Sequence, residues 1–315
     1  MKHKLVDELI DIFKNNIDRY QAHEKSKPIL EKMSNSTAFL YDIIRSNLLD
    51  PFFLVKSRHY STLSMTIFEN SAFSFIVNIF PPLPDRRTDV SFQSIHHHGS
   101  LLLSSVAAFG PGYNCILFKK GFTIDYTTCI TKMEIDKDYQ NQLHQVGFVD
   151  SDQPHIVFYP SDFSATFALW SDQKKTSKQV LKKIGFIRRF KKPLLKIAQA
   201  IGLDKKLGVN KIAFFDFYPV GKNIIAMKDR DAYNEEGSND NFLQNIFCFI
   251  QKTGFHDIVF LNEVMSNDKT PESAIKFIQM IINGVTINDS FISGHLNLPK
   301  VNLIKNDIIN AFTNG

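Results

Sequence analysis

Between Phe52 and Trp170 the chain is a succession of short β-branched and aromatic runs cut by turn residues, and this pattern restricts the possible folds more than any other feature. Residues 73–80, Phe-Ser-Phe-Ile-Val-Asn-Ile-Phe, read as one strand and are followed at once by Pro81-Pro82-Leu83-Pro84-Asp85. Further strands are expected at 101–109, 114–119, 122–133, 145–150, 155–159 and 165–170, with Gly110-Pro111-Gly112 and Gly121 as turn signals. Gly110-Pro111-Gly112 lacks the downstream Gly-Lys-Ser or Gly-x-x-Gly of a phosphate loop and reads as a turn. Many short strands joined by tight turns fold as a sandwich or a barrel, here over 51–172.

Helical patterns flank this unit. In 1–50, Leu5, Leu9, Ile10, Phe13 and Ile17 form one apolar stripe and predict a helix over 4–20 that packs on the barrel. A second helix is expected to start near Ser26-Lys27-Pro28, with proline in its first turn, and to stop before Pro51. Residues 173–208 read as an inserted, strongly basic helical segment, and 209–228 as a hairpin around 219–223 that returns to the barrel. The remaining 229–315 form a mostly helical extension. It comprises a solvated loop over 229–241, a helix over 241–252, a strand-like run at 258–261, a helix after Thr270-Pro271-Glu272, and a terminal helix through Ile304, Ile308, Ile309 and Phe312. The fold class is α+β.

Composition narrows the functional classes. With 315 residues and 43% hydrophobic content, the chain can bury a large core and does not have the composition of a disordered protein. Three cysteines (Cys115, Cys129, Cys248) are too few for a disulfide framework and contain no Cys-x-x-Cys pair, so a reducing, cytoplasmic setting is expected. No run of 18 apolar residues predicts a membrane span, and the first residues carry acids where a secretory signal would be apolar. The net charge of +5 is local. Residues 172–206 hold twelve Lys or Arg against two Asp, so the rest of the chain is net negative. That pattern fits a local anionic partner at 174–206, such as anionic lipid or an acidic carrier protein, better than nucleic acid.

Chemistry concentrates in Ser94-Ile95-His96-His97-His98-Gly99. On a strand, His96 and His98 share a face while His97 takes the other. Two residues advance about 6.6 Å along a strand, a separation from which two imidazoles can lean onto one metal ion. A third ligand must come from elsewhere, and the strand-rich region offers His144 and His155. His155 is the better candidate. It follows the turn Asp150-Ser151-Asp152-Gln153-Pro154 and opens a strand that, in a barrel, can face back across the lumen. Tyr159 and Trp170 are candidate pocket aromatics.

These residues resemble the cupin superfamily, and more narrowly its cysteine dioxygenase-like, three-histidine branch, over about a third of the chain. Members carry Ser-Ile-His-x-His before a strand ending in glycine, matched by Ser94 to His98 and Gly110. They also carry Asp, then His-x-Val, then Ser, then Ser-Leu-His-Leu-Tyr-Ser. The counterparts here are Asp150, His155-Ile156-Val157, Ser161 and Thr166-Phe167-Ala168-Leu169-Trp170-Ser171. The resemblance implies a double-stranded β-helix barrel holding Fe(II) on His96, His98 and His155, and an oxygenase that combines a small thiol- or amino-acid-derived substrate with O2. Cupins usually add a glutamate shortly after the second histidine, but 99–109 contains no acid, as in that branch.

The departures bear on the substrate. The family's histidine and tyrosine that handle protons fall on Ala168 and Trp170, its serine on Thr166, and its crosslinking cysteine on Leu103. Arg58 and His59 lie in the stretch where the family places its carboxylate-gripping arginine. Free cysteine therefore fits poorly as the substrate, with Arg58, Tyr159, Thr166 and Trp170 the candidate pocket residues. The other reading is a metal-binding cupin that docks through its basic segment instead of oxidising a substrate.

Overall fold

The computed structural model describes residues 3–55, 62–83, 95–122, 124–125, 130–172, 213–215, 218–221, 224–226, 239–289 and 304–313. Arg58, Cys129 and the basic segment 173–208, with the lipid or carrier contact expected at 174–206, lie outside these residues.

Four helices open the chain: α1 (Lys4–Asn15), α2 (Arg19–Ser34), α3 (Thr37–Leu48) and α4 (Pro51–Val55). Capping side chains set their starts and correct two expected boundaries. Asp18 accepts from Tyr20 N at 2.9 Å, so α2 starts at Arg19, ahead of the expected Ser26-Pro28, and α1 stops short of Ile17, which is 90% exposed. Pro28 therefore sits inside α2 and removes one i→i−4 bond, a loss that packing outweighs because Leu30 and Met33 are fully buried on the same helix. Ser36 caps a separate α3 by accepting from Phe39 N at 3.1 Å.

The strands are β1 (Leu63–Glu69), β2 (Ser74–Phe80), β3 (Ile95–His97), β4 (Leu101–Phe109), β5 (Asn114–Phe118), β6 (Ile124–Asp125), β7 (Ile130–Lys132), β8 (Ile135–Gln140), β9 (Val146–Val149), β10 (His155–Phe158), β11 (Ser164–Asp172), β12 (Ala213–Phe215), β13 (Tyr218–Gly221) and β14 (Ile224–Ala226). The stretch expected as one strand over 122–133 holds the separate β6 and β7, and β8, whose residues are mostly exposed and polar, was not foreseen. Four helices complete the described chain: α5 (Asn239–Lys252), α6 (Ile258–Met265), α7 (Glu272–Ile282) and α8 (Lys305–Thr313). The strand-like run at 258–261 is the start of α6. Asp257 accepts from Phe260 N at 3.1 Å and commits those apolar residues to a helix, whose Phe260, Leu261 and Val264 are buried.

Two sheets form the body, in the orders β1-β2-β11-β4-β9 and β12-β3-β10-β5-β8, and a smaller third sheet runs β13-β14-β7-β6. Every pairing between named strands is antiparallel. Apart from β1 and β12, one edge strand of each, the two large sheets run β2-β11-β4-β9 and β3-β10-β5-β8, the double Greek-key order of a jelly roll, the barrel architecture that cupins share.

Alternation along β11 shows how the layers stack. Ala165, Phe167 and Leu169 join a core with α1, α2, α3 and α5, whereas Ala168 and Trp170 turn to the other side. There they meet Phe80, Leu103 and Val149 of their own sheet and Cys115 and Leu117 of β5, so this side is the barrel lumen. Burying both faces makes the strands apolar throughout, with each buried large side chain contributing roughly 1.5–3 kcal/mol. On the outer face of the second sheet, Ile308 and Phe312 of α8 cover Ile95, Ile116, Phe118, Ile156 and Phe158.

Two polar devices connect helices to the sheet. Asn47 of α3 donates to Thr66 O and accepts from Thr66 N, occupying the free edge of β1 as a neighbouring strand would. His23 of α2 is 1% exposed, with Nδ1 2.7 Å from Ser104 Oγ on β4 and Nε2 2.9 Å from Ser171 Oγ on β11. Burial holds its pKa down at about 4. No helix among the described residues is long and apolar enough to cross a membrane.

Candidate metal centre

The second sheet brings two of the histidines face to face. His155, the first residue of β10, pairs in register with His96 of β3 and also with Leu117 of β5, and the His96 and His155 ring centroids are 4.2 Å apart. β3 ends at His97, the chain turns at Gly99 with φ 60°, and the His98 ring swings to 4.9 Å from His96 and 4.6 Å from His155. His98 lies one residue past the strand end, on the same side as His96, and the turn follows it. The three residues offer ligand nitrogens that all lie within 4.8 Å of one another.

Backbone contacts keep the two loops that carry these rings together. Asp152 N donates to Gly99 O at 2.6 Å, which ties the turn before His155 to the turn after His98. Gln153 braces the same turn. It is buried, its Oε1 accepts from Asp150 N at 3.1 Å, and its Nε2 donates to Asp136 Oδ2 at 3.0 Å. The Gln153 carbonyl lies 3.1 Å from His155 Nδ1, so Nδ1 carries the proton and Nε2 keeps its lone pair. Sequence reasoning missed Gln153; its place two residues before His155 in a turn was the available signal.

Electrostatics keep the His98 and His155 rings neutral. Burial pushes the pKa values of His98 and His155 well below the usual imidazole range, and the neighbouring imidazoles lower them further. His98 Nδ1 is buried and has no hydrogen-bond partner. A buried nitrogen lacking a partner, in a cluster of imidazoles, fits a metal ion. The cluster includes no carboxylate among the described residues. His97 stays apart from it: its Nδ1 accepts from Gly99 N at 3.2 Å and lies 3.7 Å from Asp152. His144 is distant in function as well, with positive φ and its Nδ1 3.2 Å from Ser34 Oγ.

Of the expected pocket residues, Trp170 meets the cluster, its ring edge-on to His98 at 4.5 Å. Thr166 lies four residues further along β11 on the same lumen side and is buried. Tyr159 is buried just past the end of β10, four residues beyond His155. Arg58 is outside the described residues. Beneath the histidines the lumen holds a set of neutral polar groups that the sequence did not single out: Ser105, Tyr113, Cys115, Tyr139 and Asn141. Burial pushes the Cys115 thiol up to about 12 and the Tyr113 and Tyr139 phenols upward, so all three stay protonated.

No protein-family model matches the sequence, and no curated protein matches it. Among solved structures, the chain is similar to a Thermus thermophilus protein (11% identity, 40% of this chain, 97% of that one, TM-score 0.25). It is also similar to the DMSP lyase DddQ from Ruegeria pomeroyi (12% identity, 35% of this chain, 47% of that one, TM-score 0.24). A cupin superfamily protein from Desulfitobacterium hafniense is a third (10% identity, 39% of this chain, 87% of that one, TM-score 0.23). The chain spans less than half the length of the lyase. The fold assignment rests on strand order: this is an α+β protein whose barrel is a jelly roll, with three histidines gathered at one end of its lumen.

Proposed function

We propose that this protein is a non-haem Fe(II) oxygenase of the three-histidine cupin type, with His96, His98 and His155 as ligands and a small thiol- or amino-acid-derived substrate. The observation that carries the reading is a set of imidazoles whose ligand atoms lie within 4.8 Å, with no carboxylate beside them among the described residues. Held by neutral ligands with open positions, Fe(II) would bring O2 and substrate together without an external reductant.

The chain's own residues act around that centre. The Gln153 carbonyl holds the proton on His155 Nδ1 and so aims the other nitrogen inward. Trp170 closes one side of His98, while Leu103, Val149 and Ala168 keep the lumen beside it apolar and water-poor. Cys115, Tyr113 and Tyr139 hold their protons, so none of the three is a base at neutral pH.

Anaerobic metal quantification, the spectrum of a nitric oxide adduct, and O2 uptake with thiols and amino-acid derivatives together test the proposal. Stoichiometric iron, a nitric oxide signal and substrate-dependent O2 consumption are expected. A protein that retains zinc alone and consumes no O2 after iron loading would overturn it.

A further inference from the structure

Two buried polar atoms in the barrel have no partner and border the same residue. Asn141 and Thr166 are each 1% exposed, yet Asn141 Oδ1 and Thr166 Oγ1 make no hydrogen bond. Leaving such atoms unpaired destabilises a fold, so they are retained where something else satisfies them. Asn141 Nδ2 donates to Ser105 Oγ at 3.2 Å, and Tyr113 Oη lies 3.3 Å from that same Oγ. Thr166 reaches Ser105 through strand register. Its partner on β4 is Ala107, and Ser105, two residues along, pairs with Ala168. Ser105 thus links β4 to Asn141 and Tyr113 of the facing sheet, and Thr166 lies one register step away on β11.

Gly147 of β9 pairs with Ser105. A Cβ there would sit 3.4 Å from Tyr139 Oη, so the tyrosine crosses above a position without a side chain. Tyr139 in turn pairs with Cys115, and Cys115 pairs with Val157, two residues from His155. Cys115 and Tyr139 therefore lie about 7 Å down the strand from the histidines, and Asn141, whose N–H donates to Tyr113 O two residues further on, lies about 13 Å away, a span that a ligand five or six atoms long covers when its head is bound at the histidines and its tail makes a hydrogen bond. Apolar Leu103, Val149 and Ala168 line the lumen with them.

We propose that Ser105, Asn141 and Thr166 form the floor of a second subsite, which takes the neutral hydrogen-bonding tail, a primary amide or a hydroxyl, of a ligand whose head is held at His96, His98 and His155. The head rests on the metal-centre reading above, and the tail on the floor residues alone. Asn141 Oδ1 can only accept, so the tail must donate. Thr166 Oγ1 can donate, so the tail gains from an acceptor as well. A carboxylate tail has no proton for Asn141 Oδ1, and none of the floor side chains is a cation to offset its desolvation.

The test uses the full chain loaded with Zn2+, which is redox-inert, and follows Trp170, the single tryptophan, whose ring packs on His98. The probes are glutaramate, its branched alkyl isostere 5-methylhexanoate, glutarate, and acetate, which has no tail. Glutaramate should bind about tenfold or more tightly than the isostere and glutarate. Asn141→Leu and Thr166→Val should each remove most of that preference while leaving acetate unchanged, and Thr166→Ser should restore it. Equal affinity for glutaramate and its isostere, or a preference that survives both variants, overturns the proposal. If no probe binds, acetate included, the metal-centre reading fails, and butyramide on the metal-free chain then tests the floor by itself. A saturable response lost in Thr166→Val upholds the subsite, and no response rejects it.

Discussion

His96 and His155 lie directly opposite each other across β3 and β10, their ring centroids 4.2 Å apart. A cross-strand pair is held by backbone register and does not depend on side-chain flexibility, so the two imidazoles are presented together before any ion binds. His155→Ala should therefore abolish stoichiometric metal binding, whereas His97→Ala, outside the cluster, should leave it within about threefold. Metal titration by calorimetry compares the two; equal losses in both variants would show that the triplet, and not the cross-strand pair, forms the site.

His23 predicts a pH dependence of stability. Its pKa is lowered to about 4, first by desolvation and then by Arg19, whereas the unfolded chain titrates near 6.5. Between those values only the unfolded state takes up the proton, so stability falls as pH drops from about 6.5 to 4, by about 3 kcal/mol in all. His98 and His155 act in the same direction, so the contribution of His23 is read as a difference. Urea midpoints measured from pH 4 to 7 should show a shallower slope in His23→Gln than in the unaltered chain. Parallel slopes would exclude a buried neutral His23.

The turn between β4 and β5 depends on a residue without a side chain. Gly110 has φ 77°, and a Cβ added there would collide with the Phe163 carbonyl. Gly110→Ala should cost about 2–4 kcal/mol, from the left-handed backbone and the displaced 163 strand lead-in together. Chemical denaturation measures it, and a loss below about 0.5 kcal/mol would contradict the close approach.

Helix α8 seals the outer face of the second sheet without entering the lumen. Phe312 packs on Phe118 at 5.1 Å, and Lys305 pairs with Asp138 at 2.5 Å. Phe312→Ala should lower stability by about 3 kcal/mol through the cavity it leaves, with metal affinity unchanged. Weakened metal binding in a variant that remains folded under the assay conditions would mean that α8 also positions the site.

The local chemistry of the chain was sufficient for the strand succession and for three histidines as metal-ligand candidates. Alternating and β-branched runs specify strands locally, and an imidazole's ligand capacity is a property of the residue itself. Local patterns misled where a cap decided: Asp18 moved the start of α2, and Asp257 turned an apolar strand-like run into α6. The polar edge strand β8 escaped notice because four of its six residues are exposed and only Ile135 and Tyr139 pack on a core. Thr166 was a candidate pocket residue from the sequence, but its meeting with Ser105 and Asn141 could not be read from the chain. Those residues lie up to 61 positions apart, and only sheet register and the packing of two sheets bring them together. Sequence alone determined which groups can do chemistry; tertiary structure decided which of them meet, because convergence depends on register and turns that no single stretch encodes.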